Sequence, residues 1–412
     1  MVSVQSYKPI LNFVKWQRMT PFKLYLANKI EFIAGMMIII GVCWPFLLSS
    51  VWNIPWWAFP PFAIIAGLLR WKSYPRPTST LLPLWGFFLV LVIFAIYAGV
   101  VEPMTPYGED KLNHFAILAI GAYLGAFRQK PVTEQLVRGM RLMLFLTLIV
   151  ATLVAFKNRE MFLYAESWGI SALRSAFAIT AFPLVIAMAV TCVIPRKLNP
   201  LWLLISGGVV LVGAILEVFV RGRFDAMLLC ILTAMVVLGP PMKHMFIRVL
   251  LAVMLLMLAV AVYINVLPQL GDSFLYLTWM NPENIGGRSE LYREAIDGFL
   301  KFPFGQGIGS FSQIEPLMSY PHNFLLEAAY ELGIAGFLCV LLIYFNVARR
   351  VWQFWLSPPH RILGALLIVL FSHMLKAGDI AMLAFQWIYL YLLFIATPLA
   401  PSWQLQRGKE IE

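Results

Sequence analysis

The chain has 412 residues, of which 61% are hydrophobic and only 12% are charged, with a mean hydropathy of +0.81. This composition excludes an ordinary soluble globular protein and is typical of a chain embedded in a bilayer. The formal net charge of +11 does not indicate a nucleic-acid partner, because the basic residues are spread over short connections between apolar runs, where they orient a membrane protein.

A spanning helix needs roughly 20 mostly apolar residues, and about twelve such runs follow one another along the chain. The sequence therefore predicts an all-α polytopic membrane protein. The second run contains Pro55, Pro60 and Pro61, which predicts a kinked or partly interfacial segment. The predicted spans are 31–50, 54–70, 81–101, 112–127, 138–156, 172–194, 200–220, 223–240, 246–267, 323–348, 361–376 and 379–399.

Lysine and arginine concentrate in alternate connections, and acidic residues collect in the others. With an even number of spans, this asymmetry predicts that both termini lie in the cytoplasm. We therefore expect four parts: a bundle of spans 1–9 over residues 1–267, an outward segment over 268–322 that packs on the bundle, spans 10–12 over 323–400, and a cytoplasmic tail over 401–412.

The outward segment is too short for an independent core. A short amphipathic helix is predicted from Arg288 to Lys301, because Arg288, Tyr292, Ala295 or Ile296, and Phe299 share one face at helical spacing. The run Gly305-Gln306-Gly307-Ile308-Gly309 follows and predicts a tight, close-packed turn. No strand precedes this run, so its glycines do not indicate a dinucleotide site.

His322 lies where the outward segment ends and the tenth span begins. An imidazole at a membrane boundary can be wet on one side and fixed by a helix start on the other. Its unperturbed pKa near ~6.5 suits it to take and return a proton near neutral pH. His322 is therefore a candidate general base, although a histidine that makes only a structural hydrogen bond at a helix start is an equal alternative.

Arginines on the same side are the second signal, because charges at membrane depth are costly. A cluster of guanidiniums near the outer leaflet suits a lipid-linked phosphate or diphosphate, which it can bind in bidentate fashion. The alternative is ordinary pairing with acidic neighbours in the same turn. The arginines in question are Arg174, Arg221, Arg223 and Arg288.

Metal and nucleotide cofactors are not expected. The histidines are far apart in sequence and fall on different sides of the predicted bundle, and the outer loops lack paired acid–histidine spacing. These histidines are His114, His244, His322, His360 and His373.

One motif resembles a known family. His322-Asn323, nine residues, Gly333, two residues and Gly336 match the pattern H-[NSQ]-x9-G-x2-G of the bacterial O-antigen ligase family. Upstream, Gly287-Arg288 opens a helix, Tyr292 holds an aromatic position, and Pro303 precedes Gly305 and Gly307. The run Arg221-Gly222-Arg223 is similar to the family's outer R-x3-L motif, with Met227 in place of the leucine.

The resemblance implies a GT-C-like membrane glycosyltransferase of the Gram-negative inner membrane, with its active site facing the periplasm. The implied donor is O-antigen polysaccharide on undecaprenyl diphosphate, and the implied acceptor is a sugar hydroxyl of lipid A–core. The product would be complete lipopolysaccharide. The family uses neither metal nor nucleotide. Membrane lipids surround it, and the sequence does not set its oligomeric state.

The resemblance also assigns roles. His322 would be the base of an inverting displacement, and Arg221, Arg223 and Arg288 would stabilise the departing diphosphate. Gly333 and Gly336 would let a neighbouring helix approach, while Glu327 would support an arginine or pair at the interface. Residues that could line the same cavity or contact the acceptor are Arg174, Asn323, Tyr292, Arg293, Lys376 and Asp379.

Three other functions stay open at this point. An O-antigen polymerase uses the same donor with a second lipid-linked chain as acceptor. A protein O-oligosaccharyltransferase uses a peptide acceptor and commonly carries extra soluble sequence. A lipid-linked oligosaccharide transporter would show inverted repeats and polar residues at mid-membrane, and neither is visible in this chain.

Overall fold

The structure of the protein is a computed structural model. It describes residues 20–52, 56–71, 78–100, 104–126, 129–157, 283–313, 320–355, 360–377, 380–381 and 383–395. These parts of the chain are helical and contain no strand, and one isolated bridge joins Trp71 to Gln129.

The helices are labelled in chain order. They are α1 (Pro21–Trp52), α2 (Pro60–Leu69), α3 (Thr78–Val100), α4 (Pro106–Ala126), α5 (Glu134–Lys157), α6 (Glu283–Lys301), α7 (Phe324–Trp355), α8 (Arg361–Ala377) and α9 (Ala384–Leu390). Short 3-10 turns lie at Trp56–Ala58 and Ser310–Gln313, and a π-helical turn over Tyr391–Ile395 extends α9.

Eight of the predicted spans fall wholly or partly on described residues, and each of these overlaps a helix. Within those residues, three helices are long and apolar enough to cross a membrane: Pro21–Val42, Thr80–Val100 and Phe324–Phe354. The predicted spans 172–194, 200–220, 223–240 and 246–267 lie outside the described residues.

The second predicted span departs from a full crossing, as its prolines indicated. Its helical part, α2, has only 10 residues, and a proline occupies its first turn. Proline is favoured there because its missing N–H has no helical partner to lose. The segment is therefore a short helix preceded by a 3-10 turn.

The core of the bundle is centred on α9. Every residue from Ala384 to Ile395 is buried. The Trp387 ring meets Phe87 of α3 and Phe324 at the start of α7, with centroids 5.9 and 5.6 Å apart. The contact with Phe87 is edge-to-face and the contact with Phe324 is tilted. These rings pack the first residue of α7 against α9 and α3.

A buried polar cluster fastens the other end of the bundle. Arg70, which ends α2, is fully buried, and its Nε lies 2.9 Å from Glu31 of α1. Its guanidinium also donates to the carbonyls of Lys130 and Pro131, at 3.0 and 2.9 Å. Arg70 thereby joins α1, α2 and the connection before α5.

The outward helix α6 begins at Glu283, five residues before the predicted start, and ends at Lys301 as predicted. It packs on α7. Among the residues of α6 whose side chains are described, Leu291 and Ala295 are buried, so of the two predicted alternatives, Ala295 and Ile296, it is Ala295 that lies on the buried face. Tyr292 is half-buried and Ile296 is exposed.

Candidate active site

The site is built around the first turn of α7. Asn323 caps this helix: its side-chain Oδ1 accepts hydrogen bonds from the backbone N–H groups of Leu325 and Leu326, at 3.0 and 3.1 Å. Asparagine is among the residues that best satisfy these otherwise unpaired donors. The residue after the histidine in the motif therefore has a local role, which is to define where α7 starts.

His322 has an unusual backbone. Its φ is +55°, the only positive value at a non-glycine position within the described residues. This conformation costs of order 1–3 kcal/mol and persists only where the surroundings enforce it. Here the surroundings are buried Pro321, the Asn323 cap, and the Tyr320 ring, whose centroid lies 4.4 Å from that of the imidazole. The half-buried imidazole therefore packs against the Tyr320 ring where α7 begins.

A buried charge cluster lies directly below this turn. Lys111 of α4 places its Nζ 2.7 Å from both carboxylate oxygens of Glu331, and it also pairs with Glu327. Glu327 accepts a further hydrogen bond from the backbone N–H of Ile380, at 2.9 Å. All three charged side chains are at most 2% exposed. The cluster therefore fixes two parts of the chain to the first two turns of α7: helix α4, and the connection between α8 and α9 at Ile380.

Sequence reasoning missed Lys111. It expected Glu327 to support an arginine or to pair at the interface, and the described partner is a lysine 216 residues away. A signal was present, because Glu327 and Glu331 are four residues apart on one face of an apolar helix. Two carboxylates at that spacing require a buried cation nearby.

The glycines of the motif accommodate a loop. Helix α7 is interrupted at Gly333, where φ is +65° and ψ is −159°. The backbone groups that this interruption leaves without a helical partner form hydrogen bonds with the loop after α6. The Ile334 N–H donates to the Pro303 carbonyl at 2.8 Å, and the Tyr330 carbonyl accepts from the Gln306 N–H at 3.1 Å. A Cβ at Gly333 would lie 2.6 Å from the Pro303 oxygen, so no larger residue fits without displacement.

The expected role of the glycines was the approach of a neighbouring helix. The contact at Gly333 is instead made by the loop, and a Cβ at Gly336 would meet Leu332 of the same helix. Gly305, Gly307 and Gly309 all have positive φ, at 91°, 99° and 75°, in the predicted turn. Glycine adopts this conformation without steric cost.

The same loop rests on the first turn of α4. A Cβ at Gly309 would lie 2.7 Å from the Gly108 nitrogen, so the two backbones touch. Lys111 follows Gly108 by about one turn. The outward loop, the start of α4 and the first turns of α7 therefore pack together beside the charge cluster.

The remaining predicted site residues are distributed as follows. Arg293 of α6 is exposed. Arg288 lies in the first turns of α6, and Lys376 lies at the end of α8. Outside the described residues lie Arg174, Arg221, Arg223 and Asp379.

A second histidine lies near the opposite end of α7. His360 is buried against the Phe354 ring, with centroids 6.4 Å apart. Burial, together with the charges of the nearby Arg141 and Arg350, lowers the pKa of His360 to about 3. It is therefore uncharged at neutral pH.

Over the described ranges, no group of three or more His, Cys, Asp or Glu side chains is arranged to hold a metal ion.

Comparison with known proteins finds one matching family model. A family model described as O-antigen ligase matches residues 207–341. These residues belong to the O-antigen ligase family. The match confirms the resemblance drawn from the histidine motif. No curated protein matches the chain.

The O-antigen ligase domain contains His322, Asn323, Gly333 and Gly336, as well as the arginines at 221, 223 and 288. Enzymes of this family are glycosyltransferase-like and assemble glycans. Lys111 lies outside the matched residues, yet it pairs with two carboxylates inside them. The domain is thus completed by a helix from the N-terminal part of the chain.

Proposed function

We propose that the chain is an O-antigen ligase, which transfers O-antigen polysaccharide from undecaprenyl diphosphate to a sugar hydroxyl of lipid A–core. The observation that carries the proposal is His322, which lies in the matched domain with a constrained backbone, against Tyr320 and before a capped helix. A basic group positioned at a helix start is suited to remove the proton from an incoming hydroxyl.

In the proposed reaction, His322 removes the proton from the acceptor hydroxyl as that oxygen attacks the anomeric carbon of the donor. The bond between this carbon and the diphosphate oxygen breaks, and the diphosphate departs with its electron pair. One such displacement inverts the anomeric configuration. A positioned general base contributes typically ~10²–10⁴-fold in rate.

The growing charge on the diphosphate needs stabilisation by cations. We assign this role to Arg221, Arg223 and Arg288, and Arg174 is a further candidate. Guanidiniums are suited to it because they bind phosphate oxygens in bidentate fashion without losing their charge. In this proposal they perform the task that a metal ion performs in other transferases, so the reaction uses no metal and no nucleotide. Lys376 and Asp379 are assigned to the wall of the same cavity.

The Lys111 cluster has a positioning role in the proposal. It holds the two helical turns that begin at Asn323, and its charges are buried out of reach of solvent. A base must be held to within a fraction of an ångström of its substrate, because small displacements cost large factors in rate. The cluster supplies that rigidity without contacting substrate itself.

The proposed topology has twelve spans, cytoplasmic termini and a periplasmic site. The charge asymmetry of the connections supports it, as does the start of α7 beside an outward segment with glycine turns. In this arrangement the lipid-linked donor reaches the site from the outer leaflet.

The nearest alternative is an O-antigen polymerase, because the two activities share the matched domain and the donor. Reconstitution separates them: purified protein in vesicles receives the lipid-linked donor together with lipid A–core, a second donor chain or a peptide. A ligase transfers to lipid A–core, a polymerase extends the second chain, and an oligosaccharyltransferase modifies the peptide. Transfer to none of the three would contradict the glycosyltransferase proposal.

A further inference from the structure

An ordinary surface helix has one apolar side and one polar side. Helix α6 has three sides, which we call sectors: a buried apolar one, an exposed apolar one and a charged one. Leu291 and Ala295 face Phe311 and Tyr330 in a small core. On a different side of the helix, Ile296 and Leu300 are 44% and 70% exposed. Between these apolar sectors runs a charged one, formed by Glu290, Arg293, Asp297 and Lys301.

The exposed apolar sector continues into the loop after α6. Phe302 is 56% exposed and Phe304 is 84% exposed. Together with Ile296 and Leu300, they form a surface that we call the phenylalanine edge. Clustered large apolar side chains on a surface indicate a contact with something apolar.

The position of this edge along α7 is fixed. The Phe299 ring lies 6.0 Å from Phe337, and the Ile334 N–H donates to the Pro303 carbonyl at 2.8 Å. Phe304 therefore lies level with Gly333 and Ile334, well beyond the first turn of α7.

That level coincides with one end of a stripe of exposed apolar side chains on α7. Exposed apolar residues run along α7 from Ile334 to Trp352, a distance of about 27 Å at the rise of an α-helix. This is close to the ~30 Å thickness of a hydrocarbon core. The exposed residues between the two ends recur at helical spacing: Leu338, Leu341, Leu342 and Phe345.

The backbone of the loop is suited to this depth. Irregular backbone near the hydrocarbon region is tolerated only where its polar groups are satisfied within the protein. The Gly305 N–H donates to the Phe302 carbonyl at 2.9 Å, and the Gly307 N–H donates to the Glu331 carbonyl at 3.0 Å. Pro303 has no N–H to satisfy, and its carbonyl accepts from α7.

We propose that the phenylalanine edge inserts into the lipid leaflet at the boundary where α7 enters the bilayer. The occupant is the acyl and headgroup region of membrane phospholipid, because the edge is continuous with the exposed apolar stripe of α7. Phenylalanine and leucine are typical of the apolar face of a helix that lies in the membrane interface, and the charged sector of α6 then meets headgroups and water. The inference does not depend on which reaction the site performs.

The test measures how deeply residue 304 lies in a lipid bilayer. Cys43, Cys192, Cys230 and Cys339 are replaced by serine, and a nitroxide is attached to a single new cysteine in Phe304→Cys. The full chain is reconstituted in phosphatidylcholine–phosphatidylglycerol vesicles, and power saturation compares collisions with oxygen and with a water-soluble nickel chelate. Leu341→Cys marks the middle of the exposed apolar stripe of α7, and Gln313→Cys marks an exposed position of the outward segment.

The expected oxygen-to-nickel collision ratio at position 304 is several-fold above that of Gln313→Cys and below that of Leu341→Cys. Leu300→Cys gives the same result and serves if the label at 304 disturbs folding. A ratio equal to that of Gln313→Cys at both positions would overturn the proposal.

Two other outcomes would also overturn it. A label shielded from both reagents would mean that another part of the protein, or a second copy, covers the edge. A label that becomes immobile only when polyprenyl diphosphate is added to the vesicles would mean that the edge binds the tail of that lipid.

Discussion

Removing the ammonium of Lys111 should be among the most damaging single changes to the fold. Its Nζ lies 2.7 Å from both oxygens of Glu331 and also pairs with Glu327, and all three side chains are at most 2% exposed. In Lys111→Met, two carboxylates four residues apart on one helix remain buried without their cation. Breaking a buried ion pair from one side costs about 3–5 kcal/mol, so we expect a loss of that size in unfolding free energy.

The assay is reversible denaturation in mixed detergent micelles, followed by circular dichroism. Arg138→Met is the matched control, because Arg138 forms an ion pair with Glu134 at 2.8 Å that is more than half exposed. Exposed pairs contribute about 0–1 kcal/mol. Lys111→Met should therefore lose several times more stability than Arg138→Met.

A compensating variant tests whether the loss comes from the two carboxylates that remain without their cation. Replacing both partners of a buried pair by apolar groups of similar shape is often nearly neutral. Lys111→Met combined with Glu331→Met, and with Glu327→Gln to keep an acceptor for the Ile380 N–H, should recover most of the loss. If Lys111→Met is no worse than Arg138→Met, or if the triple variant is as unstable as the single one, the cluster does not hold α4 to α7.

Three further changes test the local geometry by the same denaturation assay. Gly333→Ala should destabilise the protein by at least ~1–3 kcal/mol, because it combines a positive φ with a clash against Pro303. The control is Gly99→Ala, where a Cβ meets nothing within 4 Å, and it should not destabilise the protein. Equal effects of the two changes would contradict this role of Gly333. Asn323→Ala should cost about 0.5–2 kcal/mol through loss of the helix cap, and no loss would remove that role. Arg70→Met should cost about 3–5 kcal/mol because it leaves Glu31 buried without its partner, whereas a loss below ~1 kcal/mol would mean that the pair is solvated in solution.

Much of the helical framework could be predicted from the sequence, because the bilayer sets the length of an apolar run. The start of α7 at residue 324 and the short helix after Pro60 follow from local signals, namely a capping asparagine and a cluster of prolines. Such signals act over a few residues, so a single sequence carries them fully.

The interior of the candidate site could not be predicted in the same way. The contact between Lys111 and Glu327 spans 216 residues, and only the packing of α4 against the outward loop and α7 brings the two side chains together. The interruption of α7 at Gly333 likewise depends on the loop that enters it. The choice between Ala295 and Ile296 for the buried face of α6 has the same origin, because the helix has two apolar sectors and the sequence does not say which one meets α7.

The central claim is that His322 is the base of a glycosyl transfer, and its most direct test is a transfer assay on reconstituted protein. His322→Ala is compared with His114→Ala, which removes an exposed histidine of α4. Both variants should fold and bind the lipid-linked donor, and only His322→Ala should lose transfer, by ~10²-fold or more. Full transfer by a folded His322→Ala protein would contradict the claim.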